Sequence, residues 1–103
     1  MQNKNLSEYI SEFKSFINTN DYLACIDLLL QAIKDFPHEE KLKLNLGNIY
    51  KLLDRKDEAI DVYTSLLETP FSSIAYNNLS LIMLELGNNQ KCIEYAREAL
   101  KSN

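Results

Sequence analysis

From residue 6 onward, apolar residues recur every three or four positions. Leu6, Tyr9, Ile10, Phe13, Phe16 and Ile17 fall on one stripe of a helix. Asn5 followed by Glu8 has the form of a capping box, in which the Asn side chain accepts from a first-turn amide and the Glu reaches back to the cap. The stripe breaks at Asn20. Asp21 can cap a second helix, expected to run to about Phe36, because Pro37 has no amide to continue the ladder. A second helix pair is expected to start near Glu39, turn at Asp54 and end before Pro70. A third is expected to start after Ser72 or Ser73, turn at Gly87 and reach the C-terminus.

The three pairs are copies of one another, and the stretch 46–63 (LGNIYKLLDRKDEAIDVY) is their template. Displacing the chain by 34 lays Cys25, Ile26, Asp27, Leu29, Ala32 and Ile33 on Ala59, Ile60, Asp61, Tyr63, Leu66 and Leu67; a further 33 reaches Cys92, Ile93, Glu94, Ala96, Ala99 and Leu100. Phe16, Tyr50 and Met83 align, as do Thr19, Leu53 and Leu86. The residue after these is Asn20, Asp54 or Gly87, the types that best tolerate a left-handed backbone at a helix end. Connections of a few residues force consecutive helices to pack antiparallel. The expected fold is all-α: six antiparallel helices in three helix-turn-helix units, about 6–39, 40–72 and 73–103, forming a single domain over 1–103.

These residues resemble the tetratricopeptide repeat, a unit of about 34 residues with the pattern W-x2-L-G-x2-Y, then A-x3-F and a later P. The second unit supplies Leu46, Gly47, Tyr50, Ala59, Tyr63 and Pro70. The first supplies Tyr9, Phe16, Cys25, Leu29, Ala32 and Pro37; the third supplies Tyr76, Leu79, Ser80, Met83, Cys92, Ala96 and Ala99. The resemblance covers nearly the whole chain and implies a right-handed α-solenoid, a superhelix of stacked helix pairs. Three departures stand out. Lys43 occupies the slot of a large aromatic, Phe13 that of a Gly or other small residue, and Glu12 that of a Leu. A first repeat has no preceding neighbour, so a polar Glu12 fits an outward, capping face.

Composition narrows the function classes. The chain has 103 residues, about one small domain, with 46% hydrophobic and 25% charged residues and only two Gly and two Pro, which favours helices. A formal charge of −4, without a basic stripe, argues against a nucleic-acid partner, which would draw its affinity from Lys and Arg on phosphates. The N-terminal residues have no signal-peptide pattern, and no apolar run approaches the roughly 20 residues that span a bilayer. A cytoplasmic protein with no membrane partner is expected.

Cys25 and Cys92 share the repeat slot of Ala59. Stacked helices sit about 10 Å apart, so two repeats separate these thiols by roughly 20 Å, far beyond the ~7 Å reach of a disulfide. They are expected to be small apolar fillers. His38, the one histidine, lies at an inter-repeat corner beside Glu39 and Glu40, which point in different directions and make no metal site. With no G-x-S-x-G, no phosphate loop and no CxxC pair, neither an enzyme nor a cofactor is expected.

The remaining candidate is the concave surface lined by the first helix of every unit. Opposite the packed face of Tyr50 and its equivalents lie Ile10, Lys14 and Ile17 from the first unit, and Lys41, Leu44, Asn45, Asn48 and Leu52 from the second, with Lys51 at the margin. The third adds Ile74, Asn77, Asn78, Leu81, Leu84 and Glu85. Three lysines face one glutamate, while the second helices carry Asp27, Asp35, Asp57, Asp61, Glu94 and Glu98; the groove should be apolar with a basic end. Asn45 and Asn78 occupy equivalent slots, where members of the family it resembles use asparagine to hold a bound peptide backbone. A subclass of that family grips a C-terminal carboxylate here with Lys, Arg and Asn. Asn45 matches that set, but Ile10, Lys14, Ile74 and Asn78 stand where it has Lys, Asn, Lys and Arg, so the clamp is not intact and acidic chaperone tails are not expected partners.

The reading is a protein-interaction adaptor. Pockets around Leu44, Leu81 and Leu84 would bury anchors of a peptide or amphipathic helix, Asn45, Asn48 and Asn78 would bond its backbone, and Lys14, Lys41 and Lys51 would favour acidic flanks. The alternative is a self-assembling scaffold that forms a homo-oligomer. Ile93, Ala96, Ala99 and Leu100 repeat the stripe that earlier units bury against a following unit, so the last helix reads as uncapped. A third reading, that the chain is a fragment of a longer protein, would also account for the missing cap.

Overall fold

A computed structural model describes residues 4–101. Residues 1–3 and 102–103, the ends of the expected domain, lie outside the described residues. Among the latter there are six helices and no strand: α1 (Leu6–Asn18), α2 (Tyr22–Asp35), α3 (Glu40–Leu52), α4 (Lys56–Thr64), α5 (Ser72–Glu85) and α6 (Asn89–Lys101). Each packs chiefly on the helices adjacent to it in sequence, and the stack extends over 49 × 25 × 19 Å. The architecture is an all-α helix-pair solenoid.

Local signals explain most boundaries. Asn5 and Glu8 form the reciprocal capping box, with Oδ1 accepting from the Glu8 amide at 2.9 Å and the Asn5 amide donating to Glu8 Oε1 at 3.0 Å. Asp21 Oδ1 accepts from the Ala24 amide at 3.2 Å, and Asn88 Oδ1 from the Lys91 amide at 3.1 Å. The three turns carry the left-handed backbone at Asn20 (φ 58°), Asp54 (φ 60°) and Gly87 (φ 78°). Each is followed by an amide that reaches back over the helix end, Asp21 to Phe16, Arg55 to Tyr50 and Asn88 to Met83, at 2.8–2.9 Å.

One boundary differs from expectation. The fourth helix does not continue to Pro70; α4 ends at Thr64 and the chain runs on in tighter turns. Ser65 Oγ donates to the Val62 carbonyl and Thr69 Oγ1 to the Leu66 carbonyl, both at 2.6 Å, while the Leu66, Leu67 and Thr69 amides bond three residues back. Short hydroxyl side chains compete for the carbonyls that would continue the α-ladder.

The core runs down the stack between the helix layers. Leu42, Leu46 and Ile49 of α3 are buried, as are their register equivalents Ala75, Leu79 and Ile82 of α5. The equivalents in α1 are Glu8, Glu12 and Ser15, and Glu12 pairs with Lys4 at 2.6 Å on that face. The contact between paired helices uses one slot from each. In the middle unit Gly47 receives the ring of fully buried Tyr63; a Cβ on Gly47 would lie 2.8 Å from Tyr63 Cε1. In the third unit both residues are small, Ser80 and Ala96, and Ser80 Oγ donates to the Cys92 carbonyl at 2.8 Å. In the first unit both are large, Phe13 and Leu29.

Both cysteines are free. Cys25 is fully buried, and burial pushes its thiol pKa up. Cys92 is only partly buried, because it belongs to the one unit with nothing stacked beyond it among the described residues.

Candidate functional site

The first helices, α1, α3 and α5, carry every residue assigned to the groove, and the structure brings them together in two groups. Between α1 and α3 lies a cleft of about 310 Å³, walled by Tyr9, Ile10, Phe13, Leu28, Leu29 and Asn45, with Lys14 and Lys41 on its rim beside Glu39. Phe13 fills the slot that holds Gly47 or Ser80 in the other units, and the cleft opens directly beside it. Lys14 and Lys41 are exposed and have no carboxylate within ion-pair distance among the described residues. The Tyr9 hydroxyl donates to Asp35 Oδ2 at 2.5 Å, and that bond to a carboxylate, aided by burial, pushes its pKa up to about 12.

The second group sits between α3 and α5. Lys51 Nζ donates to Asn78 Oδ1 at 2.8 Å, and Asn78 Nδ2 donates to the Ile74 carbonyl at 3.0 Å. Asn48, Lys51, Leu52 and Glu85 border a shallow recess. The Tyr63 hydroxyl donates to Asn48 Oδ1 at 2.5 Å, and burial pushes the Tyr63 pKa up to about 12. Ile74, Leu81 and Leu84 stand exposed along α5.

Two assignments are corrected. Leu44 is 8% exposed and belongs to the core, so it is not an open anchor pocket. Its register equivalents Ile10 and Asn77 are exposed. Only the middle unit has a neighbour on both sides among the described residues, and that is where the equivalent position is closed. The three asparagines are also unequal. Asn48 and Asn78 spend their carbonyl oxygens on Tyr63 and Lys51, whereas the Asn45 amide has no side-chain bond among the described residues. Neither outcome has a signal in the helical spacing, which places a residue on a face but not its partners on other helices.

His38 is exposed. Among the described residues no three His, Cys, Asp or Glu side chains converge as metal ligands, and no helix is long and apolar enough to cross a membrane.

The family model described as the tetratricopeptide repeat matches residues 40–69 and 74–103, more than half of the chain. The chain belongs to the tetratricopeptide repeat family. The first helix pair, α1 and α2, lies outside the matched residues. It carries the departures at Phe13 and Glu12, yet keeps the capping, the left-handed turn and the antiparallel packing of the tetratricopeptide repeats that follow. Among solved structures, a mutant of MamA matches with a TM-score of 0.81 and 18% identity, over 98% of this chain and 74% of that one. At that identity the likeness concerns the fold. No curated protein matches the chain. Tetratricopeptide repeats are protein-interaction modules, and the solenoid is of that general kind.

Proposed function

We propose that the protein is a non-catalytic adaptor, a single domain of three tetratricopeptide repeats whose concave groove takes a peptide or amphipathic helix of a partner protein. The observation that carries this reading is the row of large apolar side chains left exposed on the first helices: Ile10 on α1, Leu52 on α3, and Ile74, Leu81 and Leu84 on α5. Ile74, Leu81 and Leu84 recur at helical spacing and so share one exposed face of α5, and an apolar face left open to solvent marks a surface for a partner. Lys14 and Lys41 at one end favour a partner with acidic flanks, acting mainly on encounter rate and orientation. Capture of partners by crosslinking, compared between the parent chain and Leu81→Asp or Asn45→Ala, tests the reading. Specific captured species should be lost while circular dichroism stays unchanged; identical capture by the folded variants would sink the groove.

A second reading, self-assembly through α6, is favoured by one comparison. Ile93 is 52% exposed where its equivalent Ile26 is 6% exposed, Leu100 is 71% exposed, and α6 has no buried residue. Ala96 between them is partly covered. The polar α1 face, with Glu8, Glu12 and Ser15, cannot substitute for the apolar face of a next repeat, so self-association through α6 would be tail to tail rather than head to tail. Light scattering over a concentration series decides: a monomer throughout excludes this reading, and dimers abolished by Leu100→Glu support it.

A further inference from the structure

The groove offers many surfaces, but the structure singles out one as an anchor pocket. We infer that the cleft between α1 and α3 holds one large apolar side chain of an extended peptide segment, with acidic residues on either side of that anchor. This inference rests on the groove reading and gives it a location and a sequence preference.

Three observations converge on this cleft. Its volume of about 310 Å³ lies at the lower end of the range of ligand pockets, roughly 300–1,000 Å³, a size for a single anchor rather than a whole helix face. Its walls are mostly apolar and rigid, since Leu28, Leu29 and Ala32 beneath it are buried core residues. It also opens at a helix contact peculiar to the first unit. Phe13 and Leu29 are both large where the other units pair Gly47 with Tyr63 or Ser80 with Ala96, and the cleft is bordered by both of them.

Polar groups at the mouth define the rest of the ligand. Asn45 reaches the cleft wall with neither its carbonyl nor its amide nitrogen engaged by another described side chain, so it can accept from and donate to one peptide unit. Asn48 and Asn78, by contrast, are tied to Tyr63 and Lys51 and would have to break those bonds first. Lys14 and Lys41 are both without an ion-pair partner among the described residues and outnumber Glu39 on the rim. An acidic residue on each side of the anchor places opposite charge near both lysines, whereas a basic flank would meet repulsion there.

The test uses an acetylated and amidated heptapeptide with a single Phe at its centre and Glu on both sides, titrated into the full chain and followed by backbone amide NMR shifts. Blocking both ends removes any terminal carboxylate as the source of binding. Saturable shifts should centre on Ile10, Phe13, Lys14 and Asn45. Replacing the peptide Phe by Ala should weaken binding by about tenfold or more. Asn45→Ala in the protein should weaken it about threefold to tenfold, as for one lost hydrogen bond, and Lys14→Glu or Lys41→Glu about twofold to fivefold each. Asp61→Asn, exposed on α4 and away from the first helices, should leave it unchanged. Because Ile10, Lys14 and Lys41 are exposed, their variants should fold, and Ile10→Glu provides an independent block of the mouth. Shifts confined to Ile74, Leu81 and Leu84 would overturn the cleft assignment while leaving the groove reading intact. Absence of saturable shifts, or equal affinity for a Lys-flanked peptide, would overturn it as well, with the capture experiment then judging the groove separately.

Discussion

Gly47 and Gly87 are required by geometry rather than by chemistry or charge, and each geometry makes a different prediction. Alanine at Gly47 places a Cβ 2.8 Å from a ring that is fully buried and held by Asn48. The helix gains about 1 kcal/mol in propensity from Gly to Ala, but overpacking costs about 1–3 kcal/mol, so a net loss is expected in urea unfolding. At Gly87 nothing lies within 4 Å, and the penalty for Ala comes from φ +78° alone; about 1 kcal/mol of destabilisation is expected, with no change in the packed core. Tyrosine ionisation gives a third test. Tyr9, bonded to Asp35, and Tyr63, desolvated, are both pushed up to about 12, above the value of about 10 for an unfolded chain. The folded state holds these protons more tightly, so their contribution is complete below about pH 10 and is lost as the pH rises through about 12. Phenolate absorbance should show two of the tyrosines titrating late, and Tyr63→Phe should remove one of them and flatten the alkaline fall in stability.

At the scale of elements, the joint between α3 and α5 has a specific polar tie. Lys51 and Asn78 meet at 2.8 Å across two repeats, partly exposed to solvent, so a double-mutant cycle with Lys51→Ala and Asn78→Ala should return a coupling of about 1 kcal/mol or less. Asn78 is expected to matter more for holding the two repeats in register than for a ligand, and a larger loss in partner capture than in coupling would reverse that assignment. The early end of α4 lies in its hydroxyls: Ser65 and Thr69 divert carbonyls that a continuous helix would need. Pro70 marks the end of the segment in the sequence, but the helix stops well before it, because local side-chain bonds act upstream of the residue that forbids continuation.

Across the whole molecule, stability should be uneven. A repeat stack derives its cohesion from each unit's own packing plus its neighbours, and only the middle unit has both neighbours among the described residues. Hydrogen exchange should therefore be slowest in α3 and α4 and fastest in α6, which buries no residue fully; protection of α6 equal to that of α3 at low concentration would contradict this gradient. If α6 packs against a second copy, its protection should rise with protein concentration while that of α1, closed by Glu12 and Lys4, stays constant.

Much of this architecture is written along the chain: the six helices, the three left-handed turns at Asn20, Asp54 and Gly87, the capping by Asn5 and Asp21, and the common register of the three units. These follow from interactions within a few residues or from a periodicity that repeats three times, so they are encoded locally. The same periodicity places Ile10, Lys14, Lys41, Asn45, Asn48, Lys51, Asn78, Leu81 and Leu84 on the first helices. Which of them are available is set by the packing of the helices in three dimensions. Leu44 is covered, Asn48 and Asn78 are engaged, and Asn45 borders an open cleft beside Phe13. Burial and hydrogen bonding at these positions depend on how separate helices approach one another, whereas the spacing of residues along one helix fixes only the face each occupies.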